Sequence, residues 1–346
     1  MIKYKKVSRE IAQKPRKCDG ATLKCDKTIF RRVKNMEKVY IGIDFGGTSV
    51  KGGIVTADGK ILYKSSVPTD AKEGVKKVIS NIVKLIRDLE AHNANGEIQG
   101  IGIGIPGLID AESGVVVVAG NLYWSDVHIV DELHKHFDYP IKITNDANAA
   151  ALGEAKFGSG KSYKTSVFVT LGTGIGGGII IDGKLYEGNK SAGGEIGHMI
   201  IHPHGEQCTC GNKGCWETYG SATAIIRETR RAMQAHKDSE MWKVGGLENV
   251  DGKTAFDYAD VDEYAKQVVD EYIDNLAVGL INIANIFRPE VIIIGGGVAN
   301  QGDSLILPLR EQVKGGLFAR SSGPSVGIIF ASLKSAGIVG AAALNM

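Results

Sequence analysis

Three cysteines within eight positions carry the sharpest chemical signal in this chain. They lie in the string Cys208-Thr209-Cys210-Gly211-Asn212-Lys213-Gly214-Cys215-Trp216-Glu217. The C-x-C-x4-C spacing, with glycines that let a short loop fold around an ion, supplies three thiolate donors. One histidine would complete the tetrahedral set of a closed structural zinc site. His198, in Gly193-Gly194-Glu195-Ile196-Gly197-His198, competes for that place with His202 and His204. The chain has five cysteines, an odd number. The clustering of three of them suits a metal better than a disulfide framework.

Two glycine-rich strings point to phosphate. The first is Asp44-Phe45-Gly46-Gly47-Thr48-Ser49-Val50-Lys51-Gly52. Glycine permits a tight turn whose backbone N–H groups face phosphate oxygens, and Asp44 at a strand end suits hydrated Mg²⁺. The plainer alternative is an ordinary hairpin turn. The second string, Leu171-Gly172-Thr173-Gly174-Ile175-Gly176-Gly177-Gly178, contains the dinucleotide pattern G-x-G-x-x-G. That pattern must open a helix, whereas residues 178–181 followed by Asp182-Gly183 read as a second strand and its turn. Gly102, Gly104 and Gly107 fit the same pattern, but Pro106 and Leu108-Ile109-Asp110 do not start a helix either. NAD binding is rejected at both places. Residues 155–162, Ala-Lys-Phe-Gly-Ser-Gly-Lys-Ser, imitate a P-loop apart from Ala155. They follow a predicted helix, not a strand, and read as a helix stop and surface loop.

Asn145-Asp146-Ala147-Asn148 joins a predicted strand to a predicted helix. Asp146 is then either a helix N-cap or a carboxylate at the C-terminal end of a strand, where ligands of α/β folds gather. In the second case it could take the proton of an attacking hydroxyl, as phosphoryl transfer requires.

The elements that must position these groups follow from periodicity. Residues 39–45 form a short apolar strand, residues 52–55 and 61–63 continue as strands, and Asp58-Gly59 is a turn signal. Val75, Val78, Ile79, Ile82, Ile86 and Leu89 recur at helical spacing, which predicts an amphipathic helix over 72–91. Strands follow at 101–105 and 141–144, then a helix over 147–156. The pattern restarts with a strand at 167–171 and a second at 178–181. A long helix over 261–287, a strand at 291–294 and the turn Gly295-Gly296-Gly297 complete it. Strand, glycine turn, strand, helix thus occurs twice, which predicts two similar α/β lobes with a nucleotide between them. A small apolar helix over 335–344 packs back on the first lobe. The 46 glycines cluster after apolar stretches, so they mark turns and not a flexible linker.

Charge is unevenly spread. Residues 1–38 hold 13 Lys/Arg against 4 Asp/Glu, and the rest of the chain 28 against 35. A basic arm can bind nucleic acid, but this one is too short for an evident helix-turn-helix, so DNA binding is not expected. Met36-Glu37-Lys38-Val39 directly precedes the first strand, so residues 1–35 read as a disordered arm or a mis-assigned start. No apolar run reaches the ~18 residues of a membrane span and no signal peptide is evident, which predicts a cytoplasmic protein.

Taken together these strings resemble the bacterial ROK family (repressors, open reading frames and sugar kinases), and within it the glucokinases. The resemblance runs from Val39 to the C-terminus. It rests on 44–52, Ile105-Pro106-Gly107, Gly120-Asn121-Leu122-Tyr123-Trp124, Asn145-Asp146, 171–178, 195–198, the cysteine loop with Glu217, and 295–297. It implies an α/β, two-lobed actin-like ATPase fold (ribonuclease H-like), with nucleotide and sugar in the interlobe cleft. Residues 1–38 are then a basic extension. Residues 39–150 form the smaller lobe, completed by a C-terminal helix over 335–346, and residues 151–334 the larger lobe with the zinc loop.

The resemblance also implies roles. Asp146 matches the base that activates the sugar 6-hydroxyl. Asn121, Asn145, Glu195, His198 and Glu217 match residues that bind the other sugar hydroxyls. His198 matches the fourth zinc ligand beside Cys208, Cys210 and Cys215. Gly46, Gly47, Thr48 and Lys51, with Asp44, match the first phosphate loop. Thr173 and Gly174 match the second, and Gly296 and Gly297 the adenosine-side turn. Expected cofactors are ATP, Mg²⁺ and structural Zn²⁺. The expected partner is glucose or a related hexose, in a homodimer or homotetramer. Rival readings are a kinase of N-acetylmannosamine, N-acetylglucosamine, allose or fructose, and a sugar-sensing regulator without turnover. The donor stays open between ATP and polyphosphate.

Overall fold

Strands form where the apolar runs stand. In the computed structural model, which describes residues 36–94 and 96–346, the first half builds β1 (Glu37–Phe45), β2 (Ser49–Thr56), β3 (Ile61–Pro68), α1 (Val75–Ala91) and β4 (Gly96–Ile105). It continues through β5 (Leu108–Asp110), β6 (Val115–Ala119), β7 (Trp124–Val127), α2 (Ile129–His134), β8 (Ile141–Asn145) and α3 (Asp146–Phe157). The expected arm over residues 1–35 lies outside the described residues. β1 begins at Glu37, so the strand takes in Glu37 and Lys38, which the sequence reading assigned to the extension.

The second half builds β9 (Ser166–Leu171), β10 (Ile175–Ile181), β11 (Lys184–Tyr186), α4 (Glu217–Gly220), α5 (Ala222–Ala235), α6 (Thr254–Tyr258) and α7 (Glu263–Phe287). β12 (Val291–Gly295), α8 (Asp303–Gly316), β13 (Gly327–Phe330) and α9 (Ala336–Ala343) close the chain. The helix predicted over 261–287 starts later, because the Asp262 carboxylate caps it by accepting from the Tyr264 and Ala265 N–H groups. Similarly, Gly74 delays the start of α1.

Two five-stranded sheets result, in the orders β3-β2-β1-β4-β8 and β11-β10-β9-β12-β13. In each, the first three strands in chain order are antiparallel neighbours and the remaining two are added in parallel. The repeat read from the sequence is therefore a repeat of topology. A third sheet, β5-β6-β7, has three strands and was not anticipated. Central strands such as β12 are buried along their whole length, as expected where helices cover both faces.

Glycines set how closely helices approach these sheets. On the first sheet, a Cβ at Gly42 or Gly102 would overlap the carbonyl oxygens of Ile338 and Ala341, so α9 lies directly on β1 and β4. On the second, Cβ atoms at Gly176 and Gly178 would meet Ala147 and Ala151 of α3. Gly153 and Gly340 bring α3 and α9 together. Two small-residue helices are thus packed between the sheets. The last carbonyls of the C-terminal segment accept from cations: Lys156 Nζ to Ala343 at 3.1 Å and Lys142 Nζ to Leu344 at 2.8 Å. Gly102→Ala is expected to destabilise the protein by about 3 kcal/mol or more, because the overlap is with backbone that cannot rotate away. Urea denaturation measures this; an unchanged midpoint would mean that α9 does not seat there.

Candidate active site and metal centre

The link between β8 and α3 holds the reactive carboxylate. Asn145, not Asp146, caps α3: its Oδ1 accepts from Ala147 N at 2.8 Å and Asn148 N at 3.3 Å, and its Nδ2 donates to Gly107 O at 3.1 Å. The capping alternative for Asp146 is thereby corrected. Asp146 is the first residue of the helix, and its only hydrogen bond among the described residues is with the adjacent Ala147 N–H at 2.9 Å. Burial pushes its pKa up to about 6; the Ala147 N–H opposes this, and the carboxylates of Asp44 and Glu195 add to it. Asp146 therefore senses one carboxylate from each lobe.

Asp44 sits at the end of β1, raised by burial and drawn back by Lys51. Lys51 lies in β2 directly opposite Asp44 and not in the turn itself, so the two side chains share a face. The turn is closed by Gly46 N donating to Ser49 O at 3.0 Å, and Thr69 Oγ1 donates to Gly46 O at 2.7 Å. Between β9 and β10 the second glycine string forms a hairpin, Gly172 N donating to Gly174 O at 3.0 Å. It opens a strand, so the dinucleotide pattern is not used. Gly296 follows β12, and a Cβ there would overlap the Leu171 carbonyl beside that hairpin. Nothing lies within 4 Å of where a Cβ would stand at Gly47, Gly172 or Gly297. Each turn thus offers open backbone at the C-terminal end of a strand.

The cysteine loop is tied down on both sides. Ile200 and Cys215 form a bridge, as do Gln207 and Lys213. Trp216, fully buried, donates Nε1–H to Asn275 O of α7 at 3.0 Å. Gly279 leaves room for its ring. His198 Nδ1, Cys208, Cys210 and Cys215 gather with donor atoms within 4.8 Å of one another. Cys210 Sγ is 3.6 Å from Cys215 Sγ, and Cys208 Sγ is 3.8 Å from His198 Nδ1. A tetrahedral zinc site with bonds of ~2.3 Å has donor–donor edges of about 3.8 Å, so the donor set fits. Burial pushes the Cys208 thiol up to about 12 and raises Cys215 as well. Thiolates there need a cation beside them. His202 is not part of the set: its Nε2 lies 2.7 Å from Asn275 Oδ1. With His204 it lines a cavity of about 790 Å³ that contains none of the four donors.

Carboxylates flank this centre. Glu217 opens α4 directly after the loop; its Oε1 accepts from Cys208 Sγ at 3.1 Å and lies 3.6 Å from His198 Nδ1. A Cβ at Gly174 would stand 2.5 Å from Glu217 Oε2, so the second glycine turn touches the cysteine loop's exit. Glu195 Oε2 lies 4.0 Å from His198 Nε2. Partial burial raises Glu195, with His198 opposing and Glu217 reinforcing. Asn121 stands exposed in the turn Gly120–Leu122, after β6, whose end packs on Gly107. One neighbour escaped the sequence reading. Asn148 is 3% exposed, its Oδ1 has no hydrogen-bond partner among the described residues, and it lies 3.9 Å from the Cβ position at Gly194. Its place in Asn145-Asp146-Ala147-Asn148 was the available signal.

The ROK family profile matches residues 40–346, and the chain belongs to that family. Its relatives include the glucokinase of Thermotoga maritima, 39% identical over 307 residues that cover 88% of this chain and 96% of that one. The xylose repressor of Caldicellulosiruptor bescii is 32% identical over 79% of this chain and 69% of its own. Among solved structures, a ROK glucokinase from Streptomyces griseus in complex with glucose and AMPPNP aligns with a TM-score of 0.77 and 32% identity, covering 88% and 98% of the two chains. The fold is accordingly the two-lobed actin-like sugar-kinase fold.

Proposed function

We propose that this protein transfers the γ-phosphoryl group of ATP to the 6-hydroxyl of glucose. One observation carries the reading: Asp146, left free of the capping role by Asn145, is buried and raised to about 6, with Asp44 at the first glycine turn and Glu195 beside the cysteine loop both adding to the shift. A carboxylate in that range is deprotonated near neutral pH and still basic enough to take a hydroxyl proton in the transition state. Its relatives in the family include glucokinases, one of them solved with glucose and AMPPNP.

Asp146 Oδ atoms accept the 6-hydroxyl proton as that oxygen attacks the γ-phosphorus, and ADP leaves. Glu195, His198, Glu217, Asn121 and Asn145 read the remaining hydroxyls, because unpaired polar groups in a drying site are costly. The turns at Gly46-Gly47-Thr48, Thr173-Gly174 and Gly296-Gly297 hold the nucleotide, with Lys51 beside Asp44. Asp44 would hold Mg²⁺ through water, an ion that neutralises phosphate charge when bound. Zn²⁺ on His198, Cys208, Cys210 and Cys215 would fix the sugar-reading segment. Assembly as a homodimer or homotetramer and a cytoplasmic location complete the reading; among the described residues no helix is long and apolar enough to cross a membrane.

An ADP-release assay with glucose, N-acetylmannosamine, N-acetylglucosamine, allose and fructose tests it, with ATP and polyphosphate as donor arms. Glucose with ATP is expected to give the highest kcat/KM. A different best hexose would replace the substrate, and no turnover with any of them would leave a sugar-sensing regulator, as in the repressor relatives.

A further inference from the structure

We infer that Glu154 is a positioning residue for phosphoryl transfer, a buried carboxylate that locks both chain crossings between the lobes to the helix carrying Asp146. The inference rests on the kinase reading above for its consequence, though not for its geometry. Glu154 is fully buried, and an acidic side chain is rarely so unless its charge is paired. No ion pair is found at Glu154 among the described residues. Five donors surround it instead. Ser332 N and Leu333 N donate to Oε1 at 3.0 and 2.7 Å, while Ser159 N, Ser159 Oγ and Ser332 Oγ donate to Oε2 at 2.8, 2.9 and 3.3 Å. Such a set fills the lone pairs of one carboxylate.

The location of the donors gives the arrangement its meaning. Residues 158–165 lead from α3 into the second sheet, and residues 331–335 lead from the second sheet back to α9 on the first. The chain crosses between the sheets at these two places, and one side chain holds both. Glu154 also argues against phosphate at the stretch imitating a P-loop: its own carboxylate occupies the backbone N–H of Ser159, and a Cβ at Gly158 would overlap Oε2. Asp146 lies eight residues earlier on the same helix, about 12 Å along its axis at 1.5 Å per residue. While Glu154 holds both crossings, α3 cannot shift relative to them, so the base keeps its place relative to the points where the chain enters and leaves the second sheet. A base displaced by ~1 Å can lose roughly 100-fold in rate.

The test combines hydrogen exchange with kinetics on the full chain, in wild type, Glu154→Gln and Gly158→Ala. Gln keeps the shape but turns one acceptor into a donor facing N–H groups. Gly158→Ala presses on the carboxylate without removing it, and serves if Glu154→Gln does not fold. In wild type, peptides spanning 157–165 and 329–336 are expected to exchange at similar rates. In either variant both should lose protection together, by about tenfold or more, while peptides from α1 and α7 keep theirs, and kcat should fall at least about tenfold. The inference is overturned if the two wild-type peptides exchange independently, if α1 and α7 lose protection equally, or if kcat stays within about twofold. Absence of sugar turnover in wild type would instead remove the kinase reading and leave the exchange result to decide the coupling.

Discussion

Asp146→Asn is expected to lower kcat by roughly 10²–10⁴-fold, the range a positioned general base contributes, with glucose affinity kept within a few-fold. The amide retains the size and polarity of the carboxylate but cannot take the 6-hydroxyl proton. Stopped-time ADP release measures kcat and calorimetry the sugar affinity; near-normal turnover would remove Asp146 from the role. A pH profile adds an independent check. Because burial raises Asp146 to about 6, wild-type kcat/KM should fall as pH drops through that value, and this limb should vanish in the variant's residual activity. Stability should move the other way. The folded state binds a proton at Asp146 up to about pH 6, whereas the unfolded chain releases it near 3.8. Wild type therefore loses stability as pH rises through that window, and the loss is complete above it. Asp146→Asn should raise Tm more at pH 8 than at pH 5. Equal shifts would mean that the carboxylate is not desolvated. The base thus costs the fold stability for the sake of the chemistry.

The second large effect is expected at the cysteine loop. Cys210→Ser should abolish zinc binding, read by elemental analysis, and raise the KM for glucose by roughly 10–100-fold. That factor corresponds to about 1.4–2.7 kcal/mol, roughly the loss of one charged hydrogen bond at ~1.5–3 kcal/mol. The reason is positional. Glu217 is two residues past Cys215, Glu195 is three residues before His198, and His198 turns Nδ1 to the thiols while Nε2 faces Glu195. The ligand histidine orients its neighbours as much as they orient it. Asp146 belongs to α3 and needs no metal to stand where it does, so kcat at saturating sugar should fall less than kcat/KM. A metal-free protein with unchanged KM would contradict this coupling.

Much of this was legible in the sequence because the signals are local. C-x-C-x4-C fixes three donors whatever surrounds it, glycines mark the turns after strands, and a repeated strand–turn–strand–helix order announces two like lobes. Boundaries were less legible where a single side chain decides them. Asn145 and Asp146 are both competent caps, and only the seat of Asn145 Nδ2 on Gly107 frees Asp146 for another role. The small sheet β5-β6-β7 was missed because its strands are three to five residues long, too short for a period to show.

The sequence by itself determined which side chains are present for chemistry and which turns can bare their backbone, since residue type and spacing set both. Among three histidines, the tertiary structure favoured one. His198 is the histidine that gathers with the thiols, whereas His202 meets Asn275 Oδ1 on α7 instead. It also decided the state of Asp146, because desolvation and the field of Asp44 and Glu195 exist only once two lobes close around one helix. The same holds for Glu154. In the sequence it is an ordinary helical glutamate, and it becomes a fixed point only when Ser159 and Ser332, far apart in the chain, converge on its two oxygens.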